Sequence, residues 1–152
     1  MTSRAESARI TIAAPAAVVF DILADPRQHA RIDGSGTVRD VVSGPDRLSA
    51  DARFSMSMKL GAPYRMGNRV VEFEEGRRIA WRHVGLHRWR YELTPLDDGA
   101  TEVVETWDPD AYPAPLRAAL SRVAGPKVRP ALPATLERLK AAAEHDAASP
   151  TS

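Results

Sequence analysis

The period of hydrophobic and polar positions changes twice along the chain. Ile10 and Ile12 alternate with Arg9 and Thr11, which predicts a short first strand. Pro15 then opens a helix, since its missing N–H falls where a helix has no partner for one. Val18, Val19, Ile22 and Leu23 form the apolar stripe of that helix, and Asp25-Pro26 ends it. A second short helix is predicted over Arg27 to Ile32, stopping at Asp33-Gly34. From Thr37 to Trp107 the period is two. Phe54, Met56, Met58 and Leu60 alternate with polar residues, as do Ile79, Trp81 and His83, then Trp89, Tyr91 and Leu93, then Val103, Glu105 and Trp107. Such alternation describes an antiparallel sheet with one buried face. Turn signals fall at Gly44-Pro45-Asp46, Gly61-Ala62-Pro63, Glu75-Gly76, Gly85 and Asp97-Asp98-Gly99. A phase switch near Val70-Val71 predicts a bulge.

Helical spacing returns in the last third. Leu116, Leu120 and Val123 mark one piece, with an interruption predicted at Gly125-Pro126. Val128, Leu132, Leu136, Leu139 and Ala143 then form a clean stripe, with Lys127, Arg129, Glu137, Arg138, Lys140 and Glu144 on its outer face. Pro126, Pro130 and Pro133 predict a kink or a late start. The order strand, two helices, six strands, long helix implies an α+β helix-grip architecture: a curved antiparallel sheet of about seven strands wrapped around the C-terminal helix. One helix cannot fill a strongly curved sheet, so an internal cavity is expected. Residues 1–145 are read as a single ligand-binding domain and 146–152 as a disordered polar tail.

Composition removes several alternatives. The 21 Lys plus Arg nearly balance the 20 Asp plus Glu, so no net field draws nucleic acid or an anionic membrane. The absence of cysteine excludes disulfides and thiolate ligands and suits a cytoplasmic setting. Met1 to Arg9 is polar, without the apolar run of a signal peptide, and no segment approaches the ~18 apolar residues of a membrane span. Arg77, Arg78, Arg82, Arg88 and Arg90 lie among Glu72, Glu74, Glu75 and Glu92, which favours cross-strand ion pairs over a nucleic-acid surface.

The candidate chemistry sits on the inward parity of the strands. Trp81, Trp89, Tyr91 and Trp107 could form an aromatic wall against a ring-containing ligand, or could be ordinary core. Phe54, Met56, Met58 and Met66 carry the same two readings. Glu105 is the most unusual inward residue, because a buried carboxyl must be bonded, paired or neutralised. Asn68 and His83 share its parity and are its expected partners at the polar end of the cavity. Glu105 and His83 are also the candidates for proton transfer. His29 and Asp33, four apart, could make an oriented imidazole at the cavity mouth. Asp33-Gly34-Ser35-Gly36 could gate that mouth, and Gly61-Ala62-Pro63-Tyr64 could be a portal or a hairpin turn. No metal-ligand pattern or cofactor motif is present, so neither a metal nor a cofactor is expected.

Residues 10–15 (ITIAAP), 19–26 (VFDILADP), 68–73 (NRVVEF), 79–81 (IAW), 89–95 (WRYELTP), 99–108 (GATEVVETWD) and 136–139 (LERL) resemble, in order and spacing, the START/Bet v-like (SRPBCC) superfamily and its polyketide cyclase/dehydrase branch. The resemblance runs from about Ser7 to Glu144. It implies a helix-grip fold for hydrophobic ligands such as lipids, sterols or polyketides, and it spans carriers, cyclases and co-chaperones. By that resemblance Arg69, near Tyr64, joins Glu105 and His83 as a candidate proton-moving residue. The leading expectation is a monomeric or homodimeric protein that sequesters or carries a hydrophobic, ring-containing small molecule or lipid. A cyclase/dehydratase using the same cavity is the alternative, and a module with a filled core is the third.

Overall fold

Residues 5–34, 38–83 and 85–148 are described by a computed structural model. Its strands are β1 (Glu6–Ile12), β2 (Val38–Ser43), β3 (Arg53–Leu60), β4 (Ala62–Glu74), β5 (Arg78–Arg82), β6 (Arg88–Pro95) and β7 (Thr101–Asp108). They form one curved antiparallel sheet in the order β1-β7-β6-β5-β4-β3-β2. The strands from β2 to β7 are a simple meander, and β1 returns beside β7, so β1 and β2 are the two edges.

Parity decides which side chains meet the core. In β3, Phe54, Met56 and Met58 are buried while Arg53 and Lys59 are exposed. The expected bulge lies in β4. Val70 pairs with Trp81 and Glu72 with Ala80, which leaves Val71 as the extra residue. Its effect is to reverse the parity of everything beyond it. Phe73 therefore turns inward onto Phe20, ring centroids 5.7 Å apart, and Glu72 turns outward. There Arg90 donates to Glu72 and to Asp108 at 2.7 and 2.9 Å, and Arg88 donates to Glu72 at 2.9 Å. Burial acts to raise the Glu72 pKa, but the hydrogen bonds from Arg90 and Arg88 outweigh it and hold the carboxyl below its ordinary value. The basic outer residues on β6 are thus consumed by cross-strand ion pairs. Gly61, at φ 76°, turns β3 into β4 with Leu60 opposite Ala62, so this segment is a tight hairpin.

Between β1 and β2 the chain makes α1 (Ala16–Leu23), a 3-10 turn (Pro26–Gln28) and α2 (His29–Ile32). Pro15 occupies the position just before α1, not its first turn. The second helix does not begin at Arg27: Asp25 accepts the Arg27 N–H at 3.0 Å, and Pro26 starts the 3-10 turn instead.

The last helix, α3 (Ala114–Ala148), differs most from expectation. It runs unbroken through Gly125-Pro126, and Pro126, Pro130 and Pro133 lie inside it. All three prolines are exposed, so the carbonyls of Arg122, Pro126 and Arg129, which lose their helical donors, fall on the solvent side. The buried stripe of its first half is Arg117, Ser121, Gly125 and Val128, while Leu116 and Val123 are 53% and 73% exposed. The second half follows the predicted stripe, with Val128, Leu132, Leu136, Leu139 and Ala143 all buried. Helix also continues past Asp146, where a disordered tail was expected, and Arg31 binds the Asp146 carboxylate at 2.8 Å. Only 149–152 of that tail lie outside the described residues. Among the described residues, no helix is long and apolar enough to cross a membrane.

Gly34 joins α2 to α3 by close approach. Its N–H donates to Thr135 Oγ1 at 3.0 Å, and a Cβ there would stand 2.4 Å from the Thr135 backbone nitrogen. Gly34→Ala is expected to lower unfolding stability by about 1–3 kcal/mol in urea titrations. Gly67→Ala has open space and ordinary backbone geometry, and its change should stay within about 0.5 kcal/mol. Equal effects from the two would contradict the packing.

Candidate functional site

The concave face of the sheet and the helices over it enclose a cavity of about 230 Å³. Phe54, Met56 and Met58 enter it from β3, Asn68 from β4, Trp81 from β5, Trp89 and Tyr91 from β6, and Glu105 from β7. His83 follows β5 at one side. His29, Ile32 and Asp33 close it from α2, Val38 from β2, and Ala131 and Thr135 from α3. The strands bring these residues together by register. Trp81 stands opposite Trp89, and Tyr91 opposite Glu105.

The aromatic surface centres on His29, which was expected at the cavity mouth as a partner of Asp33 and not as part of a ring stack. His29 is buried, and its ring stacks on Trp81 at 4.6 Å with an 18° interplanar angle. Phe54 meets His29 edge-on at 5.3 Å, and Tyr91 lies 5.5 Å from Trp81. His29 Nε2–H donates to the Leu23 carbonyl at 2.9 Å, and burial lowers its pKa, so the neutral imidazole serves as a flat ring. The nitrogen expected to face Asp33 is therefore committed to the backbone. Asp33 instead accepts the Val38 N–H at 2.9 Å, where β2 begins, and its carboxyl also lines the cavity. Of the predicted gate, Ser35 and Gly36 lie outside the described residues.

Glu105 does not pair with Asn68 or His83. It accepts a hydrogen bond of 2.7 Å from the Tyr91 hydroxyl on Oε1, while Oε2 is buried with no partner. The residue is 2% exposed. Burial pushes its pKa up to about 8, the Tyr91 bond opposes this, and the charge of Asp33 adds to it. Asn68 and His83 bond to each other: His83 Nδ1–H donates to Asn68 Oδ1, and Asn68 Nδ2 donates to the Met66 carbonyl at 3.2 Å. Burial, with a smaller contribution from His87, lowers the His83 pKa to about 4. The Trp89 Nε1–H is likewise buried without a partner.

Three predicted site residues stand elsewhere. Trp107 has the right parity but lies beyond Glu105 along β7, packed with Val128 and Leu132 of α3 in a small separate core cluster. Met66 is half-buried against the main core and does not line the cavity. Arg69 lies on the outer parity of β4, opposite Arg53 and Arg82, and ion-pairs with Asp51 at 2.7 Å. Its side chain is outside the cavity, which removes the reason for giving it a proton-transfer role there. Among the described residues, no group of three or more His, Asp or Glu side chains is placed to hold a metal ion.

The Glu105 carboxyl sets a pH signature. Its folded pKa of about 8 exceeds the ordinary 4.5, so its contribution to stability is complete below about pH 4.5 and is lost as pH rises through about 8. Glu105→Gln removes that loss. Thermal unfolding followed across this window should show the variant gaining on wild type by on the order of 3 kcal/mol as pH rises. Parallel curves would mean that the carboxyl is not desolvated.

Residues 5–144 match the family described as polyketide cyclase/dehydrase and lipid transport. An uncharacterized protein of Mycobacterium tuberculosis (strain H37Rv), Rv0088, is 45% identical over 103 residues, which is 67% of this chain and 46% of that protein. The chain thus spans just under half the length of the curated relatives it matches. Among solved structures, protein NE0264 from Nitrosomonas europaea superposes with a TM-score of 0.71 at 13% identity, covering 98% of this chain and 100% of that one. Zhui aromatase/cyclase from Streptomyces sp. R1128 superposes with a TM-score of 0.61 at 20% identity, covering 91% and 94%. At these identities the superpositions speak for the helix-grip fold alone. With the family match running from the first strand through most of the last helix, the chain belongs to the polyketide cyclase/dehydrase and lipid transport family.

Proposed function

We propose that this protein holds a compact, hydrophobic, ring-containing small molecule in its internal cavity, as a carrier or sequestering protein of the cytoplasm. The observation that supports this best is the unfilled space itself: about 230 Å³ bounded by Trp81, Tyr91, His29 and Phe54, where a merely structural core would be packed shut. The volume sits below the ~300–1,000 Å³ usual for ligand pockets, so one or two rings fit better than a phospholipid or a long folded polyketide. Two orphan polar atoms at the wall, Glu105 Oε2 and Trp89 Nε1, offer hydrogen bonds that a ligand's polar group would complete.

A second reading is an enzyme of the cyclase or dehydratase type. It is favoured by the family and by the Tyr91–Glu105 pair, because a carboxyl of pKa about 8 is a proton donor near neutral pH. In that case Glu105→Gln and His83→Ala abolish turnover. In a carrier they only shift affinity.

Native mass spectrometry of the protein purified without added ligand tests the leading reading, with a co-purifying small hydrophobic molecule as the expected result. The released ligand should bind Trp81→Leu about three- to tenfold more weakly, from the loss of ring contacts. Trp107→Leu should lower stability and leave affinity unchanged. A bare protein that also fails to take up small aromatic compounds would contradict the reading.

A further inference from the structure

The ionisable groups around the cavity are of one kind. Asp33 comes from the end of α2, Glu105 from β7, His29 from α2, His83 from beyond β5 and Tyr91 from β6; α3 contributes Ala131 and Thr135, and among the described residues no lysine or arginine lines the space. Both histidines are held neutral by burial. The only charges the wall can present are therefore negative. Both carboxyl groups line the same space, and the charge of Asp33 disfavours ionisation of Glu105. Glu105 also keeps Oε2 buried and unpaired, with Oε1 occupied by Tyr91.

A ligand arriving in this space with its own negative charge would be repelled by Asp33 and, among the described residues, find no cation to pair with. A neutral carbonyl could accept from a protonated Glu105 but would gain nothing from the charge of Asp33. An ammonium group can bond Oε2 of the Glu105 carboxylate, is attracted by the charge of Asp33, and lies among the aromatic side chains that line the space. We propose that the cavity selects ring-containing ligands that carry a protonated amine, with the ammonium seated at Glu105 Oε2 and the ring against Trp81. This rests on the reading of the cavity as a ligand site and narrows its ligand class.

Binding has a proton balance. Near pH 7 the free protein carries a proton on Glu105, and the incoming ammonium displaces it as the carboxylate forms. Close to one proton therefore leaves for each amine bound.

The test is calorimetric titration near pH 7 with three probes of similar shape: phenethylamine, phenethyl alcohol and hydrocinnamate. Wild type should bind the amine at least about tenfold more tightly than the alcohol, and the carboxylate most weakly. Repeating the titration in buffers of different ionisation enthalpy should show about one proton released with the amine and none with the alcohol. In Glu105→Gln the amine's advantage over the alcohol should vanish. Asp33→Asn, whose amide oxygen can still accept from Val38, should reduce the advantage in part, so a misfolded Glu105 variant does not decide the matter. A carboxylate that binds as well as the amine, or an amine advantage that survives both substitutions, overturns the proposal. If the alcohol binds and the amine gains nothing, the ligand-site reading stands and only the amine preference falls. If none of the three binds wild type, both fall.

Discussion

A sheet of seven strands curled around a single helix has more concave apolar surface than that helix can cover. Everything at the site follows from how the surplus is handled. Over β1 and β7, α3 lies close, and Val128 and Leu132 bury Trp107. Over β3 to β6 the cover is α2 with the middle of α3, and the approach of Gly34 to Thr135 sets how near these two come. The surplus there is met partly by stacking His29 on Trp81 and partly by leaving space.

The same constraint governs the electrostatics. His29 and Glu105 are buried at this wall and His83 is half-buried, with little water around them, which favours their neutral forms. His29 and His83 are pushed down and Glu105 is pushed up, all for that one reason. Tyr91 supplies the one hydrogen bond that makes a carboxyl tolerable at that depth, and its directly opposite register on β6 makes the bond geometrically inevitable. The outer face of the sheet shows the contrast. Glu72 is also partly buried, but Arg88 and Arg90 surround it, and its carboxyl moves down.

How much of this was legible follows from what each signal depends on. Strand parity is local, since alternate side chains share a face whatever the tertiary structure. Phe54, Met56, Met58, Asn68, Trp81, Trp89, Tyr91 and Glu105 were accordingly recognisable as inward residues, and the bulge at Val71 was visible as a phase change. Parity does not say what lies above a residue. Trp107 has the same parity as Glu105 but sits beneath α3, and Met66 lies where the wall has ended. Pairing across the sheet was hidden too, so Tyr91 could not be recognised as the partner of Glu105, nor Asn68 as that of His83. The first half of α3 was misread because its buried stripe is Arg117, Ser121 and Gly125, residues that carry no apolar period. His29 was placed at the cavity mouth by its spacing from Asp33, but a four-residue helix has no stripe to read, and only its docking on β5 reveals the ring stack.

Crystals of the ligand-free protein under xenon pressure would measure directly whether that space is open and apolar, since xenon enters dry cavities lined by apolar side chains and leaves packed cores empty. One or more xenon atoms should appear between Trp81, Phe54 and Met58, with the His29 stack and the Tyr91–Glu105 bond undisturbed. Side chains collapsed into the space, with no xenon among them, would contradict the cavity and with it the ligand.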